Sequence, residues 1–224
     1  MSNNLEKKEN GNSLAPFPSV STREELIDQV NNALEWQENN NGRVRGISLK
    51  TDSLGAIKTM SGKDSQEKIQ KLLNEIDVDF DLSKIQSYSW YPAAYGPVIY
   101  LVAAHLFSWG PKDLEELGRL STRGSMLIKV IMRFVSMKVT LRRGSQVWHK
   151  YYDFGDLVPV EYSDEGSYII FKIEEYNVHP INEYYHKGYF GGIVELVTGS
   201  DNVVVEVRRS IYQGEESSEY KISW

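Results

Sequence analysis

The stretch Gly188-Tyr189-Phe190-Gly191-Gly192 … Ser210-x3-Gly214-x3-Ser218-x-Tyr220-x-Ile222-x-Trp224 decides the fold reading. Its end alternates, with Tyr220, Ile222 and Trp224 on one side, the period of a half-buried strand. Its glycine-bearing start continues a helical pattern that His179-Pro180 opens and Gly199 ends. Working outward, Leu157 to Tyr162, Tyr168 to Tyr176 and Val203 to Ile211 are β-branched, aromatic and roughly alternating. Asp164-Glu165-Gly166 is a hairpin signal between the first two. The order β-β-α-β-β, preceded by helices, predicts an α+β fold: helices packed on a four-stranded antiparallel sheet.

Toward the N-terminus, Thr22 and Glu25 form a capping box. Leu26, Val30, Ala33 and Leu34 follow at helical spacing. Val44 to Met60 reads either as a short strand (Val44, Ile47, Leu49) or as a helix through Leu54 and Ile57. Asp64 or Ser65 caps a helix carrying Ile69, Leu72, Leu73 and Ile76. Pro92 is expected just inside a buried helix through Val98, Leu101, Val102 and Leu106. Pro111 restarts the chain. Further helices are expected over Ser125 to Phe134 and Val139 to Tyr152, with Gly144 a weak point in the second. Residues 1–20, rich in Asn, Ser, Lys and Glu, predict a disordered tail. Residues 21–224 predict one domain, with 21–75 a helical extension and 76–224 the core.

The 224 residues carry a net charge of −6, a pI near 5.3 and no cysteine. Disulfides, thiolate metal sites and cysteine nucleophiles are excluded. The acidic balance argues against nucleic acid. The N-terminus lacks the apolar run of a secretory signal. The longest nearly apolar stretch, Val98 to Phe107, is half of what spans a bilayer. A cytoplasmic protein is expected.

Trp90-Tyr91-Pro92-x2-Tyr95, Leu117-Gly118-Arg119, Trp148-x2-Tyr151-Tyr152-Asp153-x-Gly155 and the C-terminal stretch occur in a characteristic order. In that order the chain, over roughly Ile76 to Trp224, resembles the fold shared by TRAPP vesicle-tethering subunits, 4-vinyl-reductase-type ligand-binding domains and heme–nitric-oxide sensor domains. Two departures matter. Heme-binding relatives carry Tyr-x-Ser-x-Arg for the propionates. Ile169 to Glu175 offers no Ser-x-Arg and places acids there, which repel propionates. The aromatic-sensing relatives hold zinc with cysteines and a carboxylate. Here Ser210 and Ser218 stand at two cysteine positions and Val207, beside Glu206, at the carboxylate, and neutral hydroxyls are poor zinc ligands. The expectation is no heme, no zinc and no other cofactor.

Arg119, Arg123, Lys129, Arg133, Lys138, Arg142, Arg143 and Lys150 put +8 into 32 residues without an acid, leaving −14 elsewhere. They read as a surface for an anionic membrane or an acidic partner, or as cations paired with the protein's own acids. An aromatic set on the helical half suggests a pocket for a small hydrophobic ligand, with Trp90, Tyr95, His105, Trp148 and Tyr152 as candidates; core packing is the competing account. In Gly188-x2-Gly191-Gly192 the strand-before-helix context of a phosphate loop is missing, and close packing is expected. There is no Gly-x-Ser-x-Gly, His-Glu-x-x-His or Walker motif. With these motifs missing, the resemblance implies a non-catalytic module, either a 4-vinyl-reductase-like ligand-binding or sensory domain or a TRAPP-like interaction subunit. It is expected as a homodimer or a heterodimer with a related subunit. With no further segment after Trp224, a sensory role calls for a separate output partner.

Overall fold

The computed structural model describes residues 13–124 and 137–224, with side chains outside 137–142. Helix α1 (Arg23–Asn39) begins at the Thr22–Glu25 capping box, both reciprocal bonds being present, and buries Leu26, Val30 and Ala33. The ambiguous stretch after it divides into three. Strand β1 (Arg43–Arg45) comes first, then a π-helical turn over Ser48–Ser53, then α2 (Leu54–Ser61). Helix α3 (Ser65–Glu75) follows. Pro92 is not inside a helix. It ends β2 (Trp90–Pro92), where it pairs with Arg43 of β1, and α4 (Tyr95–Phe107) starts three residues later. The strand pairing holds these residues extended, so the helix cannot begin there.

Helix α4 is apolar all round and buries every residue from Pro97 to Ala104, as a helix enclosed on all sides must. Pro111 opens α5 (Pro111–Gly124). The helix expected over 125–134 lies outside the described residues. Helix α6 (Met137–Trp148) leads into the sheet half.

Strands β3 (Asp156–Ser163) and β4 (Tyr168–Glu174) form a hairpin, α7 (Ile181–Thr198) crosses over, and β5 (Val204–Arg209) and β6 (Ser217–Ser223) complete an antiparallel sheet in the order β3-β4-β6-β5. Ile169, Phe171, Ile173, Val205, Val207, Tyr220 and Ile222 are buried among the helices. Tyr168, Lys172, Lys221 and Glu219 alternate with them on the solvated side, where Lys221 lies 5.0 Å over the Tyr168 ring. The architecture is the α+β arrangement read from the sequence.

Helices α5 and α7 cross where glycine faces backbone. A Cβ on Gly188 would lie 1.7 Å from the Glu115 carbonyl oxygen, and one on Gly118 would lie 2.1 Å from that of Tyr185. The glycines of α7 thus serve close packing.

Residues 13–20 depart from the expected disordered tail. They lie across the domain as a strap: Ser13 N–H donates to the Val207 carbonyl (2.9 Å), Ala15 and Val20 are buried, and Phe17 packs edge-on against Tyr184. Composition missed this because the polar run of residues 1–12 dominates the first twenty, and the strap's backbone is held by groups far along the chain. One hydrophobic cluster runs from Val20 to Ile222, so 21–75 and 76–224 share a core.

Candidate functional site

The π-helical turn, α6, the segment after it and α7 enclose a cavity of about 50 Å³. Each element contributes for a local reason. The π turn widens the helical register, a device frequent at functional sites, and brings Ser48 and Asp52 to the wall. Helix α6 ends on Trp148, and Tyr152 stacks on that indole at 4.4 Å. Tyr185, His186, Tyr189 and Phe190 come from one stretch of α7. The mouth is formed by half-buried Gly144, Tyr151, Leu157 and Ile193.

His186 is 4 % exposed. Rings of Tyr176 (5.0 Å), Phe190 (5.7 Å), Tyr185 (6.0 Å) and Trp148 (6.3 Å) surround it. Neither ring nitrogen has a hydrogen-bond partner among the described residues. Burial pushes its pKa down to about 3, because the charged form loses its hydration without a compensating anion. The imidazole is neutral across the physiological range. Burial also raises the Tyr152, Tyr176 and Tyr185 hydroxyls above the ordinary phenol range.

Most polar atoms around the cavity already have partners. The Trp148 indole N–H donates to the Phe154 carbonyl at 3.1 Å. The Tyr100 hydroxyl pairs with Ser53 Oγ at 2.9 Å and interacts with Tyr185; Tyr152 interacts with Ser48. A second space of about 20 Å³ shares Ser48, Tyr152, Tyr185 and His186 with the first, and is the size for one water. It is bordered by Asn182, whose buried Nδ2 has no partner among the described residues.

Of the five pocket candidates, the structure brings Trp148 and Tyr152 together and places the other three elsewhere. Trp90 faces outward on β2 between Arg45 (4.0 Å) and Arg43 (5.6 Å). Tyr95 stacks on Phe80 at 3.7 Å. His105 bonds the Val20 carbonyl through Nδ1 at 2.6 Å and anchors the strap. Sequence reasoning missed Ser48, Asp52, Tyr185, His186 and Tyr189. The signal was present in Tyr185-His186-x2-Tyr189-Phe190, ring side chains at i, i+1, i+4 and i+5 in the first half of one helix.

The basic stretch divides. Arg119 pairs with Glu195, tying α5 to α7. Arg123, Arg143 and Lys150 are exposed. Lys129 and Arg133 lie outside the described residues, as do the side chains of Lys138 and Arg142.

Ser210 and Ser218 converge on a carboxylate, and it is Glu183 of α7. The neighbours expected from the sequence, Val207 and Glu206, do not fill that place. Ser218 Oγ–H donates to Glu183 Oε1 at 2.8 Å and Ala15 N–H to Oε2 at 3.1 Å, with Ser210 as a further partner. Burial raises the Glu183 pKa against these donors. Donor hydroxyls and an amide suit a buried carboxylate, and the two hydroxyls beside it are poor metal ligands. Among the described residues no three His, Cys, Asp or Glu side chains converge as a metal site, and no helix is long and apolar enough to cross a membrane.

No protein-family model and no curated protein matches the chain. Solved structures do. An H-NOX protein from S. oneidensis in the Fe(II)NO ligation state is 12% identical with a TM-score of 0.57, over 80% of this chain and 98% of that one. An oxygen-binding H-NOX domain related to soluble guanylate cyclases is 11% identical with a TM-score of 0.54, over 77% and 90%. A trafficking protein particle complex subunit 3 from Naegleria fowleri, covalently bound to palmitic acid, is 17% identical over 55% and 88%, at a TM-score of only 0.39. The fold is that of the H-NOX structures. The cavity does not fit their heme: about 50 Å³ is far below the roughly 300–1,000 Å³ that even drug-sized ligands occupy.

Proposed function

We propose that the protein is a non-catalytic sensory module whose cavity takes a small, largely apolar ligand. The observation that carries this reading is His186, a buried neutral imidazole with no hydrogen-bond partner among the described residues, on the wall of an aromatic cavity. A ring nitrogen without a protein partner gives a ligand in the cavity a group to hydrogen-bond. Ligand entry past Gly144 and Ile193 separates α6 from α7, and the changed packing is the signal passed to a partner. The H-NOX likeness supports a sensory role through the fold. A TRAPP-like interaction role is the second reading, supported by exposed Arg123, Arg143 and Lys150. Salt-sensitive co-sedimentation with anionic liposomes is its test.

The first reading is tested by following the Trp148 indole ¹H–¹⁵N resonance, assigned through Trp148→Phe, against a panel of small uncharged aromatics and alcohols. Saturable shifts at Trp148 that Ile193→Trp abolishes by blocking the mouth are expected. A panel that leaves Trp148 unmoved overturns the reading.

A further inference from the structure

We infer that the outward face of the β1–β2 pair is a docking surface for a partner protein, and that the group it receives is an Asp or Glu carboxylate seated on Arg45 beside Trp90. The alternation of the two strands sets this face. Val44 is buried in the core with Tyr91 paired opposite it, so Arg43, Arg45 and Trp90, the residues on either side, point outward. Cross-strand pairing places Trp90 opposite Arg45. The Arg45 guanidinium lies 4.0 Å from the indole centroid, and that of Arg43 lies 5.6 Å from it. Tyr88, 78 % exposed, stands next to them, and its carbonyl accepts from Arg45 Nη1–H at 2.6 Å. Tyr, Trp and Arg are the side chains that protein interfaces concentrate and that carry most of their binding energy. Stacking and the Tyr88 bond hold the guanidinium in place before any partner arrives, which lowers the entropy lost on docking.

Charge selects the partner. Arg43 is neutralised by Asp153, with Nε donating to Oδ2 at 2.5 Å. Arg45 has no carboxylate among the described residues, and most of its N–H donors are unused. The fork of a guanidinium matches a carboxylate through two parallel bonds. A single open cation suits one carboxylate set among apolar contacts. Nucleic acid draws on many cations along its backbone, and an anionic membrane on clusters of about four to eight. The net charge of −6 opposes both. The surface is also joined to the cavity wall. Arg45 N–H donates to the Tyr151 carbonyl at 2.8 Å, Val44 bridges Tyr152, and Asp153 N–H donates to the Arg43 carbonyl at 3.1 Å. A shift of the segment after α6 therefore moves β1 and Arg45 with it. That link rests on the cavity reading above; the surface itself does not.

Peptides selected on the full-length protein from a random linear phage library, then synthesised and titrated by calorimetry, test the surface. The selected sequences are expected to hold an Asp or Glu next to an apolar or aromatic residue. Arg45→Gln, Trp90→Ala and the amide version of the peptide's acid are each expected to weaken binding at least tenfold. Tyr88→Ala changes a side chain too exposed to matter for folding. It is expected to weaken binding about threefold or more, and it keeps the test decisive if Trp90→Ala fails to fold. Selected peptides without an acidic residue, no selection at all, or binding that survives Arg45→Gln overturns the proposal. So does binding of oligo(dT) or of phosphatidylserine vesicles that Arg45→Gln abolishes, which assigns the face to a polyanion. None of these outcomes involves the Trp148 resonance, so the cavity reading stands or falls separately.

Discussion

His186 and His179 are both buried, and burial alone pushes their pKa values down, to about 3 and about 4. In an unfolded chain each titrates near 6.5. Below that pH the unfolded state binds protons that the folded state refuses, so stability falls as pH drops, by about 1.4 kcal/mol per unit per histidine. Between pH 7 and pH 5 the two should together remove roughly 4 kcal/mol. Glu183 acts in the opposite sense. Its raised pKa lets the folded state take a proton first, so its contribution rises as pH falls toward 4.5. Urea denaturation at the two pH values measures the sum, and His186→Leu should remove about half of the histidine slope. The contrast between His186 and His105 also shows what the sequence conceals. Both sit in apolar-rich helices, yet one bonds the strap carbonyl and the other bonds nothing in the protein described. That difference depends on which backbone passes by, which a local pattern cannot report.

Among elements, the α5–α7 crossing sets the geometry of the cavity, because α7 carries its aromatic wall. Gly188→Ala inserts a methyl 1.7 Å from the Glu115 carbonyl oxygen. Separating two packed helices costs about 2 kcal/mol or more, against a helix-propensity gain of about 1 kcal/mol. Net destabilisation is expected in urea. Gly144→Ala is the counter-example. Its new carbon meets only the flexible Leu157 Cδ2, at 3.3 Å, so the propensity gain should leave stability unchanged or slightly raised. The strands, their order and the helix between them were legible because alternation and turn residues are local signals. The π-helical turn was not. A one-residue change in helical register leaves no trace in composition, and Ser48 and Asp52 reach the cavity only through it.

The molecule as a whole is closed by its N-terminal strap. Ser13 caps the edge of β5 through Val207, Gln213 Nε2 and the Tyr184 hydroxyl donate to the Leu14 and Ala15 carbonyls at 2.6 Å each, and Glu183 accepts from Ala15. The opposite edge is blunted differently, by Pro159 and a bulge at Val160 in β3. Deleting residues 1–20 should therefore uncover the β5 edge beside exposed Val204. Size-exclusion chromatography is expected to show larger assemblies than the full chain forms. Glu183→Ala should loosen the strap without deleting it, costing about 1–3 kcal/mol for its stranded donors and admitting protease at residues 13–20.

The Ala15–Glu183 contact also sets an order of events during synthesis. Their separation of 168 residues means that the first strap residues leave the ribosome long before their acceptor exists. At about 5–20 residues per second, Ala15 waits on the order of ten seconds for Glu183 to be added. Ser218, which orients the same carboxylate, is later still. The helices from α1 onward can collapse with Val20 held by His105 while residues 13–15 hang unattached, and the docking of those residues becomes the last step. A nascent chain arrested before residue 183 should thus hold packed helices and a protease-sensitive N-terminus together.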